Sequence, residues 1–343
     1  MALSIRNWLT FLRLKLKMVA RRPLFFLVFL LARIIKPKLV LTYDNEALCD
    51  GTGAQLQRLM AIYSLAKSLN LKYRHTPIKE VSVHPLDPHQ TLPEYLEYLD
   101  RLNAFIEFPT DSVPSEIPVY TTQEIPNLNL SKLLSLMFSK TQGFRLIKLV
   151  DIYSVIDCVP KIYHHARNIL IPKHFQRNLG SSKMAPTLAV HYRSVPGEFS
   201  IYEGEGQTRQ LQLSRIEKAI SRAVKKFDSK EFELIIFTDA PPNDMTVDVF
   251  ESQPHLWEGT PGYANGKLHL RGRSLHRSFT RFTSNMEVVV GGDPLDAITI
   301  MATADVLITS KSSLSFVPAI LFLNSFVYSP REFWHPIPNS GRF

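Results

Sequence analysis

The hydrophobic pattern of residues 39–80 predicts a strand, a turn, a helix and a second strand. The apolar run at 39–43 is typical of a buried strand, and residues 54–69 carry Leu, Met and Tyr at helical spacing. Two glycines at 51 and 53 predict a tight turn between them, and residues 71–78 return as a strand. This order of elements indicates a parallel sheet.

The same alternation returns in the second half of the chain. It predicts strands at 187–193, 233–239, 286–290 and 305–309, and helices at 209–227, 294–303 and 313–323. Residues 85–175 indicate mostly helices and loops with weak strands, and 254–284 a long polar loop with a hairpin. We therefore expect an α/β fold of two Rossmann-like domains with a cleft between them.

The domain division follows from length and composition. At about 150 residues per domain, the 305 residues after position 38 suggest two domains. We expect an N-terminal domain at 39–180 with a helical insertion and a C-terminal domain at 181–343, because Gly180, Ser181 and Ser182 form a plausible boundary.

Residues 1–38 form a separate segment with nine basic side chains and no acidic one. Residues 8–20 predict a basic amphipathic helix, and Pro23 precedes nine apolar residues at 24–32, fewer than the roughly 20 that span a bilayer. A peripheral helix with a shallow anchor on anionic membrane, a weak type II signal anchor with Arg33 snorkelling, a transit peptide and a core helix remain alternatives. A membrane-bound chain would lie on the cytoplasmic face in a bacterium or in the Golgi lumen as a type II protein.

The net charge of +9 comes from this segment alone. Residues 39–343 hold 31 basic and 31 acidic side chains, so the body is neutral and a nucleic-acid partner is not expected. Two cysteines exclude a disulfide scaffold and a zinc cluster built on cysteine.

Three motifs stand at ends of predicted strands, where α/β folds bind ligands. Gly51 and Gly53 allow backbone N–H groups to approach a phosphate or a sugar, although Leu56 replaces the third glycine of a dinucleotide fingerprint. His191-Tyr-Arg193 ends a strand, and the planar guanidinium group of Arg193 can grip a diphosphate. Glu198 follows in a Pro-Gly turn as a candidate base.

The third motif is a serine cluster around Lys311 at the start of a predicted helix. It consists of Ser310, Ser312, Ser313 and Ser315. Hydroxyl and N–H groups at a helix start bind anions, and the lysine adds a positive charge. One serine would suffice for N-capping, the alternative use of such residues. The sequence contains no D-x-D, H-E-x-x-H, C-x-x-C, G-x-S-x-G or P-loop motif, so we expect no metal and no cofactor.

Taken in order, these motifs resemble the fucosyltransferase superfamily of GT-B glycosyltransferases. The matching stretches are Cys49-Asp-Gly-Thr-Gly-Ala-Gln-Leu56, His191-Tyr-Arg193 and the segment from Asp296 to Ser315. The second motif then departs from the family pattern, because Ser194-Val-Pro-Gly197 replaces Arg-Gly-Asp.

The resemblance implies a GT-B fold and metal-independent, inverting transfer of a sugar to a glycan or another hydroxyl acceptor. The leading expectation for the donor is GDP-fucose, which would supply fucose. A sugar- or nucleotide-binding protein without activity is the alternative. The site residues implied on the donor side are His191, Arg193, Asp239, Asp296, Ser310, Ser312, Ser313 and Ser315. Those expected on the acceptor side are Gly51, Gly53, Gln55 and Arg58, and the candidates for catalysis are Arg193, Glu198 and Asp50.

Overall fold

The computed structural model describes residues 23–44, 49–112, 119–139, 143–156, 160–175, 185–193, 213–227, 231–250, 252–258, 262–270, 272–322, 326–330, 337 and 341–342. The predicted helix at 8–20, the boundary at 180–182 and Glu198 lie outside these residues.

The chain divides into two compact units, each built from separate stretches of sequence. The first comprises Met1–Cys49, Leu56–Lys79 and Ile106–Leu170. The second comprises Asp50–Gln55, Glu80–Phe105 and Ile171–Phe343. The second unit therefore includes two segments that lie between stretches of the first unit in sequence.

The first unit contains a four-stranded parallel sheet. Its strands are β1 (Leu39–Tyr43), β2 (Lys72–Tyr73), β3 (Val119–Asn127) and β4 (Phe144–Asp151), in the order β2-β1-β4-β3. The predicted strand at 71–78 is reduced to two residues, because His75 N bonds to Thr110 Oγ1 instead of to β1, and Pro77 has no N–H. Residues 85–175, predicted as mostly helices and loops with weak strands, supply two full strands of this sheet, β3 and β4.

Helices of the first half of the chain are α1 (23–35), α2 (Thr52–Ser68), α3 (Leu92–Ile106), α4 (Leu130–Phe138), α5 (Tyr153–Ile156) and α6 (His164–His174), with a 3-10 turn at Pro160–Tyr163. The apolar row predicted for α2 is buried, including Leu56, Leu59, Met60 and Tyr63. Within the described ranges, no helix combines the length and apolar character needed to cross a bilayer.

Strands of the second unit are β5 (Thr187–Tyr192), β6 (Glu233–Thr238), β7 (Met245–Asp248), β8 (Tyr263–Ala264), β9 (Lys267–Leu270), β10 (Met286–Val290), β11 (Val306–Ile308), β12 (Phe326–Ser329) and β13 (Gly341–Arg342). Six of them form a parallel sheet in the order β10-β6-β5-β11-β12-β13. Counted along the chain, this is the 3-2-1-4-5-6 order of the Rossmann fold. The predicted α/β class with parallel sheets is confirmed.

Helices of the second half are α7 (Leu213–Val224), α8 (Leu275–Phe279), α9 (Pro294–Thr303) and α10 (Ser313–Leu321), with a 3-10 turn at Pro254–Leu256. The apolar face of α7, which includes Ile216, Ile220 and Ala223, packs with β5 and β6 in one buried cluster. Such burial of an amphipathic face is what stabilises a helix on a sheet.

In the predicted loop at 254–284, β8 and β9 form a small antiparallel sheet with β7, in the order β7-β9-β8. Asn265 (φ 51°) and Gly266 (φ 76°) connect β8 to β9 in the left-handed region, which two-residue hairpin turns require. The predicted hairpin is confirmed, whereas the rest of the interval also contains α8.

Candidate functional site

A cleft lies at the topological switch point of the six-stranded sheet, the place where the strand order reverses. β6 and β10 follow β5 on one side, whereas β11, β12 and β13 lie on the other side. The connections therefore diverge beyond the carboxyl ends of β5 and β11, where open α/β folds bind their ligands. A cavity of about 300 Å³ opens at these strand ends.

All segments that line this cavity belong to the second unit. They are the turn before α2, a loop at 82–87, the ends of β5 and β6, Trp257, the turn between β10 and α9, and the turn between β11 and α10. The lining residues are Asp50, Gly51, Thr52, Gly53, Ala54, Ser82, His84, Asp87, His191, Arg193, Phe237, Thr238, Asp239, Trp257, Gly291, Gly292, Pro294, Ala297, Lys311, Ser312, Ser313 and Leu314. Three helix N-termini, those of α2, α9 and α10, thus meet at one cavity.

The cavity brings together residues from all three sequence motifs. The predicted residues that line it are Asp50, Gly51, Gly53, His191, Arg193, Asp239, Ser312 and Ser313. Those that do not line it are Gln55, Arg58, Asp296, Ser310 and Ser315. Glu198 lies outside the described residues.

Asp296 projects away from the lining surface. Its side chain is 71% exposed, and the ion partner that it meets is Arg101, at 3.6 Å between Oδ1 and Nη2. The preceding carboxylate, Asp293, caps α9 instead, because its Oδ1 accepts the N–H groups of Leu295 (2.7 Å) and Asp296 (3.3 Å). Asp293 therefore caps α9, whereas Asp296, expected on the donor side, lies in the first turn of the helix.

Hydroxyl groups of the serine cluster shape the turn that opens α10. Ser312 is the N-cap, and its Oγ accepts the N–H of Leu314 at 3.3 Å. The buried Ser315 hydroxyl accepts the N–H of Ser310 at 3.3 Å, and Ser310 Oγ lies 2.6 Å from His191 Nδ1. Ser310 and Ser315 thus hold the turn rather than line the cavity. The N–H groups of Leu314, Ser315 and Phe316 bond to Ser312, whereas in the described part of the chain those of Ser312 and Ser313 have no such bond at the cavity.

His191 links the ends of β5 and β11 as a neutral side chain. Burial, together with the smaller effect of the nearby positive charge of Arg193, lowers the pKa of His191 to about 3. At neutral pH the imidazole therefore carries no charge, and its role is to hydrogen-bond Ser310 across the switch point.

Gly53 allows the start of α2 to pack directly on the start of α10. A Cβ added at Gly53 would lie 2.3 Å from Leu314 N and 2.5 Å from Leu314 Cα, closer than real Cβ contacts. At Gly51, in contrast, an added Cβ meets nothing within 4 Å. The second glycine of the predicted turn is therefore required by helix packing, which sequence spacing did not indicate.

Arg193 supplies positive charge at the end of β5. Its Nε lies 3.7 Å from Asp239 Oδ2, and its side chain is 35% exposed, compared with 13% for Asp239. Lys311 lines the cavity from the other side of the switch point. Within the described ranges, no group of three or more His, Cys, Asp and Glu side chains is placed to hold a metal ion. The cavity can therefore present a guanidinium group and an ammonium group to an anionic ligand.

His84 and Asp87 line the cavity, although no sequence motif predicted them as site residues. Burial lowers the pKa of His84 to about 3, and Arg193 adds to this effect. Burial raises the pKa of Asp87 to about 7. Their segment, His84-Pro-Leu-Asp87-Pro, follows no recognised motif, and a carboxylate between two prolines was the only local signal.

A network from α3 holds the helix starts in place. Arg101 Nη1 donates to Asp293 Oδ2 at 2.8 Å, and His89 Nε2 lies 3.2 Å from the same oxygen. His89 stacks on Tyr98 with ring centroids 4.2 Å apart, and the Tyr98 hydroxyl hydrogen-bonds Thr52 Oγ1 at the start of α2. The 80–105 segment thus connects the N-termini of α2 and α9.

Comparison with known proteins identifies no sequence relative, since no protein-family model and no curated protein matches the chain. Among solved structures, the chain is similar to the NodZ α-1,6-fucosyltransferase co-crystallised with GDP, at 11% identity and a TM-score of 0.34 over 83% of this chain and 92% of that one. It is also similar to E. coli heptosyltransferase WaaC with ADP (10% identity, TM-score 0.36, 89% of this chain, 92% of that one).

A third similar structure is the E. coli ADP-heptose lps heptosyltransferase II, at 10% identity and a TM-score of 0.34 over 89% of this chain and 90% of that one. All three of these solved proteins are glycosyltransferases, and two of them hold a nucleoside diphosphate. At these values the likeness assigns the chain to none of their families.

Proposed function

We propose that the chain is a glycosyltransferase that uses a nucleotide sugar as donor and a hydroxyl group as acceptor. The observation that carries this proposal is the cavity at the switch point, where Arg193 and Lys311 meet the N-terminus of α10. The order of the three sequence motifs, which resembles that of fucosyltransferases, supports the same activity.

The diphosphate of the donor is the part of the ligand that these groups suit best. A guanidinium group can bind two phosphate oxygens at once, and an ammonium group adds a compact charge. The start of α10 adds N–H groups and the positive end of the helix dipole. The N–H groups of Ser312 and Ser313 are therefore assigned to a phosphate.

The reaction proposed is a single displacement at the anomeric carbon. The acceptor oxygen forms the new bond while the bond from this carbon to the phosphate oxygen breaks, and its electron pair leaves with the diphosphate. Arg193, Lys311 and the start of α10 stabilise the negative charge that grows on the leaving group. A carboxylate takes the acceptor proton.

The finer assignment follows the sequence resemblance. We propose inversion at the anomeric carbon, GDP-fucose as the first donor to test, a glycan or another hydroxyl compound as acceptor, and no requirement for a metal. Nucleotide-sugar binding without turnover would instead support a binding protein on the same fold.

A donor screen with the full-length chain tests the proposal. Nucleoside diphosphate release is measured for a panel of GDP-, UDP- and ADP-sugars, with EDTA and without, and donor affinity is measured by calorimetry. We expect one donor class to bind and to be hydrolysed slowly with water as acceptor, in EDTA as well. Failure of every donor to bind at millimolar concentration would contradict the proposed function.

We propose further that α1 attaches the protein to an anionic membrane surface. Its buried row consists of Phe25, Val28 and Ala32. Its exposed side chains include Phe26 (65% exposed), Leu30 (56%) and Ile34 (68%), which lie at four-residue spacing on one face. The segment 1–38 contains basic side chains and no acid, which favours anionic lipid as the partner of this apolar face.

The combined variant Phe26→Ser, Leu30→Ser, Ile34→Ser is expected to weaken binding to vesicles of phosphatidylcholine and phosphatidylglycerol. Loss of three apolar side chains from the lipid interface should lower the partition coefficient roughly tenfold or more. Vesicle co-sedimentation measures it.

The matched control replaces Leu92, Leu96 and Phe138 with serine, since these side chains are 58%, 51% and 56% exposed elsewhere in the chain. Equal loss of vesicle binding in both triple variants would contradict the role of α1.

A further inference from the structure

The loop at 84–87 holds a carboxylate inside the cavity in a closed turn. His84 N donates to Asp87 Oδ2 at 2.9 Å, and Asp87 N donates to His84 O at 2.8 Å. Gln90 Nε2 also donates to the carbonyl oxygens of His84 (3.0 Å) and Asp87 (2.7 Å). These four hydrogen bonds restrict the loop, so the position of the Asp87 carboxylate is well defined.

Packing against the six-stranded sheet restricts the loop further. Gly291, which follows β10 with φ +68°, would place an added Cβ 2.1 Å from Leu86 O. Both Gly291 and Asp87 line the cavity. The loop therefore lies against the sheet edge at the same place where Arg193 and Lys311 are presented.

The surroundings of Asp87 suit a group that exchanges a proton. One oxygen, Oδ2, is held by His84 N, and within the described part of the chain the other oxygen has no hydrogen-bond partner. Burial is the main cause that raises the pKa of Asp87, to about 7, and the charges of Asp293 and Asp239 raise it as well. The hydrogen bond from His84 N and the charge of Arg193 act in the opposite direction.

The titratable and charged groups that face Asp87 are His84 on its own loop, Tyr98 on α3, Arg193 after β5, Asp239 after β6 and Asp293 before α9. His84 is neutral at pH 7 because burial and the charge of Arg193 lower its pKa to about 3. Asp239 Oδ2 lies 3.7 Å from Arg193 Nε, so these two side chains form an ion pair beside Asp87. With a pKa raised to about 7, Asp87 changes its protonation state near neutral pH.

We propose that Asp87 is the general base of the transfer reaction, accepting the proton of the acceptor hydroxyl through its free carboxylate oxygen. This proposal rests on the proposed function. As the acceptor oxygen bonds to the anomeric carbon, the carbon–oxygen bond to the diphosphate breaks, its electron pair leaves with the nucleotide, and the proton moves to Asp87. A base with a pKa near the working pH combines an available carboxylate with useful basicity.

Asp50, a second base candidate suggested by the sequence beside Glu198, is less suited to this role. Its Oδ1 accepts the N–H of Gly51 at 2.8 Å, and its carbonyl oxygen accepts the N–H of Ser82. These bonds hold the turn that starts α2, so we assign Asp50 to positioning the turn and Asp87 to proton transfer.

The test uses the full-length chain and the donor identified in the screen, with water as acceptor, so that no acceptor needs to be known. Asp87→Asn is nearly isosteric and keeps an oxygen for the hydrogen bond from His84 N. We expect kcat to fall about 10²–10⁴-fold. The dissociation constant for the nucleoside diphosphate should not rise by more than about threefold, because the amide has nearly the same shape as the carboxylate and does not repel the diphosphate.

The pH profile separates a base from a merely structural residue. In the native protein kcat/KM should rise with pH and level off above about 7, since the deprotonated carboxylate is the active form. This acidic limb should be absent in Asp87→Asn. Asp248→Asn, an identical change at a side chain that is 84% exposed, is the control and should keep both kcat and the limb.

Two outcomes overturn the proposal in different ways. A native protein that binds no nucleotide sugar and no nucleoside diphosphate overturns the proposed function, and the role of Asp87 with it. An active native protein whose Asp87→Asn variant retains kcat within threefold and the same acidic limb overturns the role of Asp87 alone.

Discussion

Replacing Arg193 with alanine is expected to lower kcat/KM for the nucleotide sugar by about 10²–10³-fold, the usual cost of removing one group that stabilises a leaving-group charge. The guanidinium group stands at the carboxyl end of β5, partly exposed to the cavity and 3.7 Å from Asp239. Its loss removes a donor that can bind two phosphate oxygens at once. It also removes the positive charge that offsets the negative charges of the carboxylates in the cavity. Donor hydrolysis and calorimetry with the nucleoside diphosphate measure the two consequences.

Two further variants complete this test. Arg193→Lys separates charge from shape at this position, and Arg277→Ala is the control, which should keep native turnover. Arg193→Lys keeps the charge but not the planar fork, so an intermediate loss is expected. Arg277→Ala removes a guanidinium group from α8, where the side chain is exposed and does not line the cavity. Native turnover and native nucleotide affinity in Arg193→Ala would show that the diphosphate binds elsewhere.

Gly53→Ala is expected to lower the free energy of unfolding by about 1–3 kcal/mol, which is typical of overpacking at a closely packed position. The added methyl group would lie 2.3 Å from Leu314 N, so the start of α2 or of α10 must shift. The atoms in the way belong to the backbone and cannot rotate aside. Because both helix starts line the cavity, nucleotide affinity should fall as well. Denaturant unfolding and calorimetry measure the two effects.

Gly51→Ala is the matched control for the unfolding measurement. An added Cβ at Gly51 meets nothing within 4 Å, so the change in stability should stay within about 0.5 kcal/mol, as for substitutions without steric conflict. Equal destabilisation by the two substitutions would mean that the helices do not pack as closely at Gly53 as the structure indicates.

Local sequence patterns predicted most elements of the second unit. The strand at 286–290 and the helix at 294–303 have the predicted bounds, and the helix predicted at 313–323 is observed at Ser313–Leu321. These elements combine a short apolar strand with an N-cap, Asp293 or Ser312, that starts the next helix. Such signals lie within a few residues of each other, and the sequence displays them directly.

The 80–105 segment shows where local patterns fail. Apart from a carboxylate between two prolines, the sequence of His84-Pro-Leu-Asp87 resembles an ordinary surface loop, yet this segment belongs to the second unit and reaches the cavity. Its place depends on contacts with residues far along the chain, such as Gln253, whose side chain bonds both Val83 N and Val81 O. Long-range packing of this kind leaves no periodic signal.

The sequence by itself determined the α/β class, the elements around the switch point and the three motifs at strand ends, because burial of apolar side chains and helix capping act over short distances along the chain. The tertiary structure alone decided which of these residues share a cavity. It placed Asp87 beside Arg193, turned Asp296 outward and required glycine at 53, because charge, burial and steric fit at the site depend on residues that are distant in sequence.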